Sequence, residues 1–443
     1  MPRLRRIRMS VMRALTRLFV LSALVAPLTA CGVIPGLGPE KASGPTAAHM
    51  ALPLVSISSG AGVTCAISAS GEAYCWGHNT NWVLGYGGAA SAPYPVEVTP
   101  VEPLTRLTIG GTFLDSSLGG DPYDMHACAQ GISGAAYCWG KGQAGQLGLG
   151  YDAHSSPRPG ATPPSIPWIR TPHPVDGGPF RRLAAGWSVT CGIGVDDSTY
   201  CWGTLPGSVR HISPAPLDED SYSFGQLSAG GSQVCALDQA GHLFCWGRNR
   251  WGVIDGSDPG PTVDEPLPTA VSPELNFRSV AVGLHHACAL DADGRAFCWG
   301  RNDEGQLGNG STEPLCGRSH DVHTCPSTSG GPRPLATSVS FSEITVGGLH
   351  TCALDRAGRA WCWGRRLEAQ LGTGPEDNTV PQPVLTDLRF TDLTAGVEQT
   401  CGIALDGRAY CWGRNRWGEL GIASKTDTLV YEPALVSGQS AVN

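Results

Sequence analysis

Fourteen of the seventeen cysteines in this 443-residue chain form seven pairs with one spacing, nine residues between partners, and each second cysteine is followed by Trp-Gly. The pairs are Cys65 and Cys75, Cys128 and Cys138, Cys191 and Cys201, Cys235 and Cys245, Cys288 and Cys298, Cys352 and Cys362, and Cys401 and Cys411. Successive pairs start 63, 63, 44, 53, 64 and 49 residues apart, so a constant core is joined by connections of varying length. Periods near about 50 residues belong to solenoids, arrays or propeller blades. Composition points the same way: Gly (60) and Pro (35) are abundant and charged residues are only 15%. That favours strands and turns over long solvated helices.

Opposing the two cysteines of a pair across a hairpin leaves a three-residue loop, Ala69-Ser70-Gly71 in the first unit. Gly holds the third loop position in six units (Gly71, Gly134, Gly241, Gly294, Gly358, Gly407) and Asp197 in the other, as a left-handed turn residue requires. The same register sets a small residue against a ring in every unit, as Ala66 against Tyr74 or Ala353 against Trp361, which is good cross-strand packing. Each pair can therefore close a disulfide within its hairpin, the reading preferred over free thiols or zinc, whose ligand spacings are shorter. An eighth pair, Cys316 and Cys325, brackets His320 and His323. We read it as a further disulfide closing an inserted loop, with a metal site as the alternative; no other metal or cofactor is expected.

Residues 1–30 read as an export signal: Arg-rich residues 3 to 17, then the apolar run Leu18 to Ala26, too short to span a bilayer. The segment ends in Leu28-Thr29-Ala30-Cys31, which resembles a bacterial lipobox and makes Cys31 the expected lipid-bearing residue. The resemblance implies an outer-membrane or cell-surface lipoprotein, facing the periplasm or the medium. Residues 31–54 read as the lipidated Cys and a flexible linker, 55–436 as the repeat domain and 437–443 as a tail. Loss of the six arginines of the signal takes the formal charge from −8 to −14. So acidic a body repels phosphate backbones, and nucleic acid is not an expected partner.

Downstream of many triplets come Gly145-Gln146-Leu147-Gly148, Gly305-Gln306-Leu307-Gly308 and Gly418-Glu419-Leu420-Gly421, then a Pro-x-Val strand and an apolar strand ending in Ala-Gly or Val-Gly. With the His-x-Cys entries at His126, His286 and His350, this resembles the repeat of the regulator of chromosome condensation family across about residues 55 to 436. The resemblance implies an all-β, seven-bladed β-propeller. Two units depart from it, at Thr204 to His211 and at Glu368 to Gly372, and the paired cysteines suggest a secreted bacterial branch. Relatives include a nucleotide exchange factor for a small GTPase that docks on chromatin; an exported, lipid-anchored chain meets neither, so no small GTPase is expected. The first apolar strand begins at Val55 and the last strand, Glu432 to Val436, has no following blade. The N- and C-terminal strands are thus expected to close the ring, the C-terminal strand completing the first blade.

In such a meander every long insertion (110–125, 151–179, 255–265, 309–332) leaves from one face. That face also carries Trp82, Trp168, Arg248, Trp251, Arg301, Arg414 and Trp417. Trp and Arg are favoured interface anchors and long loops tend to be functional, so these residues are the candidate partner-binding set, against the plainer reading that the Trp pack on neighbouring blades. No hydrolase elbow, metalloprotease helix or phosphate loop occurs, so no catalytic residue is assigned. The recurrent histidines read as inter-blade hydrogen-bonding groups. The expected function is a monomeric, non-catalytic protein-binding scaffold at the cell envelope. The alternative is a carbohydrate-binding or carbohydrate-active envelope protein, which needs carboxylates converging at the channel mouth.

Overall fold

In a computed structural model of the protein, residues 45–112, 124–150, 168–204, 210–217, 222–249, 251–254, 264–312 and 331–439 are described. They form seven four-stranded antiparallel sheets, each a meander of consecutive strands. No helix occurs among the described residues. Blade 1 contains Leu54–Ser59, Val63–Ser68, Ala73–Gly77 and Ala92–Glu97, and the pattern recurs up to Phe390–Ala395, Gln399–Ala404, Ala409–Arg414 and Leu429–Leu435 in blade 7. The hairpin register follows the sequence reading: in every blade the two cysteines are directly opposed. Seven disulfides join them, and Gly71 and Asp197 hold the left-handed turn position at φ 91° and 66°. Cys316 and Cys325, like Cys31, lie outside the described residues.

The seven tryptophans after the second cysteines are fully buried and explain why the triplet repeats. Six of them, all but Trp246, reach the loop between the third and fourth strands of the preceding blade. Trp139 Nε1 donates to the Val83 carbonyl at 2.7 Å, Trp299 Nε1 to Val253 at 2.7 Å and Trp363 Nε1 to Gln306 at 3.0 Å. The loop must approach closely, and Gly308 permits it: a Cβ there would stand 2.7 Å from Trp363 Nε1, at a φ of 67°. Beneath the tryptophans runs a polar relay. His286 Nε2 meets Thr351 Oγ1 at 2.8 Å, and that hydroxyl donates to the Gln306 carbonyl at 3.0 Å, so three groups of blades 5 and 6 are tied together. His126 with Thr190 and His350 with Thr400 repeat the arrangement, which is the inter-blade role expected of these histidines. Burial holds His126 down to about 3 and His350 to about 4, so both are neutral.

The first strand of each blade is innermost. All seven converge on a narrow axial cavity of about 80 Å³, enough for a few waters and lined by glycine, alanine and valine residues such as Gly110, Gly186, Gly283 and Val346. The Ala-Gly and Val-Gly strand ends are a packing requirement: a Cβ on Gly110, Gly283 or Gly347 would fall 2.1–2.2 Å from a glycine carbonyl of the next blade.

The ends close the ring, but not by lending a strand. Leu429–Leu435 pairs with Ala409–Arg414 of its own blade, and blade 1 receives its fourth strand from Ala92–Glu97. The fourth strand, reached through the loop after Trp-Gly, folds back on the free edge of the third, so each repeat holds a whole blade. Closure uses the contact also seen at the 1–2, 2–3, 5–6 and 6–7 junctions: Gly421 of blade 7 packs over Trp76 of blade 1, and Thr64 Oγ1 donates to the Glu419 carbonyl. A parallel bridge between Met50 and Gln439 latches the rim. Residues 45–53, read from the sequence as linker, therefore belong to the propeller: Ala48 N donates to Pro95 and Ala51 N to the Tyr74 hydroxyl. So does the start of the assigned tail, because Gln439 bonds both backbone groups of Ala409.

Candidate functional site

The strand order separates two faces. Hairpin turns and blade-to-blade links form the turn face; the links between first and second and between third and fourth strands form the other, the insertion face. The long insertions are attached to the insertion face, at residues 113–123, 151–167, 255–263 and 313–330, and themselves lie outside the described residues.

Short loops on this face follow a local rule that sequence reading missed. An Asn two residues after the Gly of the triplet turns inward, and its Oδ1 accepts the amide five residues on: Asn79 from Leu84, Asn249 from Ile254, Asn302 from Leu307, Asn415 from Leu420. All four Asn are buried, so the loops are rigid ledges. The residues on them project from a fixed backbone.

Six of the seven candidate anchors sit on this face with described side chains, and they are already engaged. Trp82, half-buried, lies under the Arg170 guanidinium of blade 2, 3.9 Å from the ring centre. Trp251 of blade 4 lies between Arg301 (5.0 Å) and His285 (5.9 Å) of blade 5. Trp417 of blade 7 rests 4.8 Å from His78 of blade 1, with Arg416 4.9 Å from its ring. Each tryptophan thus braces the neighbouring blade, and each keeps part of its surface open. Arg301 forks onto Asp303, Arg414 onto Asp427 with Glu398 nearby, and Arg248 faces Asp264 at 3.7 Å. Trp168 opens the fourth strand of blade 2 opposite Lys141; its side chain is outside what the structure describes. The residues do not form one cluster: they are three Trp–cation stations at the 1–2, 4–5 and 7–1 blade junctions.

One loop position carries an unusual charge. Glu419, where blades 2, 5 and 6 have Gln146, Gln306 and Gln370, is buried and accepts the Arg416 amide at 3.1 Å. Burial pushes its carboxyl up to about 7.

Carboxyls do converge at the opposite, turn-face mouth of the channel. Glu343 and Asp392, on the inner strands of blades 6 and 7, are hydrogen-bonded to each other. Burial raises both above the usual carboxylate range, and each other's proximity adds to the rise at Glu343. Glycoside hydrolysis wants its two carboxyls about 5–9.5 Å apart across a sugar, whereas these share a hydrogen bond and also accept amides of the next blade. No cluster of three metal-ligating side chains occurs among the described residues. Signals for this second site were present but overlooked: two residues after the Leu or Phe at the entrance to each inner strand the residue is polar in every repeat, reading Ser56, Arg106, Arg182, Gln226, Ser279, Glu343 and Asp392.

The chain is similar to known propellers over most of its length. It is 26% identical to the ultraviolet-B receptor UVR8 of Arabidopsis thaliana over 331 residues, covering 72% of this chain and 67% of the receptor. It is 26% identical over 293 residues to the human E3 ubiquitin-protein ligase HERC2, spanning 63% of this chain but only 6% of that ligase. Among solved structures, Prp20p of Saccharomyces cerevisiae, described with its binding to Gsp1p and histones, superposes with a TM-score of 0.67 at 21% identity, covering 84% of this chain and 87% of that one. Human WBSCR16 gives 0.64 at 17%, covering 83% and 94%. Models of the regulator of chromosome condensation (RCC1) repeat match residues 54–81, 277–306, 133–193, 293–354, 357–403 and 406–442. The sevenfold ring and these matches, which together span more than half the sequence, make the chain a member of the regulator of chromosome condensation repeat family.

Proposed function

We propose that the protein is a non-catalytic scaffold, lipid-anchored through Cys31 at the outer membrane or surface of a bacterial envelope, that binds a protein partner on its insertion face. One observation carries the reading: every long connection is attached to the face that bears all three Trp–cation stations, and those stations stand on loops made rigid by a buried Asn. Anchors held in place before binding lose little freedom on association, and aromatic and Arg groups dominate interface energetics. Seven disulfides suit an oxidising compartment, and no helix among the described residues is long and apolar enough to cross a membrane. The yeast propeller Prp20p is described with Gsp1p, histones and Kap60. None of these is proposed here, because an exported chain with an acidic body would meet none of them.

Crosslinking capture from envelope extract, with Trp251→Ala/Trp417→Ala as the control, tests the reading. We expect a specific protein captured by the wild type and lost in the variant. Glycan retention without any protein would replace this reading with carbohydrate binding. The anchor is tested separately by metabolic labelling with a fatty-acid analogue, expected in the wild type and abolished by Cys31→Ser.

A further inference from the structure

The polar residue two positions after the Leu or Phe at the entrance to each inner strand lies in a ring at the turn-face mouth of the channel. In three blades it caps the neighbouring inner strand: Gln226 Oε1 accepts from Val280 N at 2.9 Å, Glu343 Oε1 from Leu393 N at 3.1 Å and Asp392 Oδ2 from Ile57 N at 3.1 Å. An inner strand is a sheet edge, so these side chains satisfy amides that pairing leaves open. Blades 2 and 3 put Arg106 and Arg182 at this position. A guanidinium has five donors and no acceptor, so neither can cap an amide.

Neither has a hydrogen-bonded or contact partner. Among the described arginines, these two alone make no side-chain hydrogen bond, ion pair or ring contact. Elsewhere this acidic chain pairs its guanidinium groups readily, Arg181 with Asp197 and Arg408 with Asp406 on the same face. Arg182 is half-buried, and burial with Arg106 and Arg181 close by disfavours its charge. Asp392 feels Arg106 across the mouth, but its oxygens are committed to Glu343 and to the Ile57 amide. Two adjacent guanidinium groups with no hydrogen-bonded or contact partner raise the free energy of the empty fold, and two successive ring positions given to side chains that cannot cap mark a functional site.

We propose that Arg106 and Arg182 form an oxyanion site at the turn-face mouth of the central channel, taking the carboxylate or phosphate group of a small ligand. Planar guanidinium groups grip such groups through parallel N–H···O bonds. Ser56 and Gln226, the neighbouring positions on the ring, add neutral donors at either side. The site lies at the opposite end of the molecule from the insertion face and is independent of the protein-binding reading.

The mature chain is titrated with inorganic phosphate and, separately, with succinate in about 0.15 M salt, where loose surface attraction is screened. Calorimetry and phosphorus NMR report binding. We expect saturable one-to-one binding of at least one anion, the two arms showing which oxyanion is preferred. Arg106→Gln/Arg182→Gln should weaken it about tenfold or more, the factor given by about 1.4 kcal/mol, while Arg248→Gln on the other face leaves it intact. Neither guanidinium holds another group, so the double variant should melt no lower than wild type, which separates lost binding from lost fold. Equal affinity in the double variant and wild type overturns the proposal, as does failure of both anions to bind saturably.

Discussion

At Glu419 a change of terminal group at constant side-chain length, carboxyl for amide, sets a pH limit on one inter-blade loop. Its folded value of about 7 exceeds the ordinary 4.5, so between those values the folded chain holds a proton that the unfolded chain releases. Stability therefore falls as pH rises through that window and stays lowered above it. Glu419→Gln should flatten this limb of the profile, gaining up to about 3 kcal/mol relative to wild type at pH 8 compared with pH 5, at 1.36 kcal/mol per unit. Parallel thermal profiles would contradict it. The neutral histidines act on the acid side: burial depresses them, the unfolded chain takes up protons below 6.5, and stability falls as pH drops from there. These residues mark the reach of sequence reading. The histidines were legible because they recur beside a cysteine; Glu419 stood in its motif undistinguished from the Gln of other units, because sequence carries its position but not its burial. Arg106, Arg182, Glu343 and Asp392 were illegible as a set because four blades bring them together across the axis.

The hairpin is the element most fully written in the chain. Cys spacing, the left-handed loop residue and the small-against-ring pairs each specify the same register, and agreement among such local signals is what makes a register unique. Each disulfide closes a loop of sequence separation 10, for which the chain-entropy account gives about 2–3 kcal/mol. Cys288→Ala/Cys298→Ala should lower stability by that order in denaturant melts under non-reducing conditions; no change would mean that the bond constrains nothing the hydrophobic core has not fixed. The third-to-fourth strand loop was read only as a motif. Its physical content is the fit of Gly308 against Trp363, so Gly308→Ala should destabilise by about 1–3 kcal/mol through overpacking and its left-handed backbone. Gly374→Ala, whose Cβ would have its nearest neighbour at 3.9 Å, is the matched control and should be near neutral.

On the scale of the whole molecule, the sevenfold count was legible and the closure was only partly so. Pairing at the free edge of the third strand decides where the fourth strand goes, and a repeat pattern read linearly can be cut on either side of that strand. Deleting residues 430–443 removes the last blade's outer strand together with the Gln439 latch, and a marked fall in melting temperature is expected; an unchanged melt would show that the Gly421–Trp76 junction suffices. The asymmetry of the faces gives the ring its proposed use: rigid, cation-covered tryptophans and the attachment points of every long connection on one side, hairpin turns with exposed Ile132, Val195 and Leu405 on the other. The most direct measurement is a residue-level map of photo-crosslinks between the mature protein and its captured partner, with crosslinkers placed in turn at Arg248, Arg301 and Arg416 and at Ile132, Val195 and Leu405. The account predicts crosslinks from the first three positions and none from the last three, and crosslinks concentrated at the hairpin tips would contradict it.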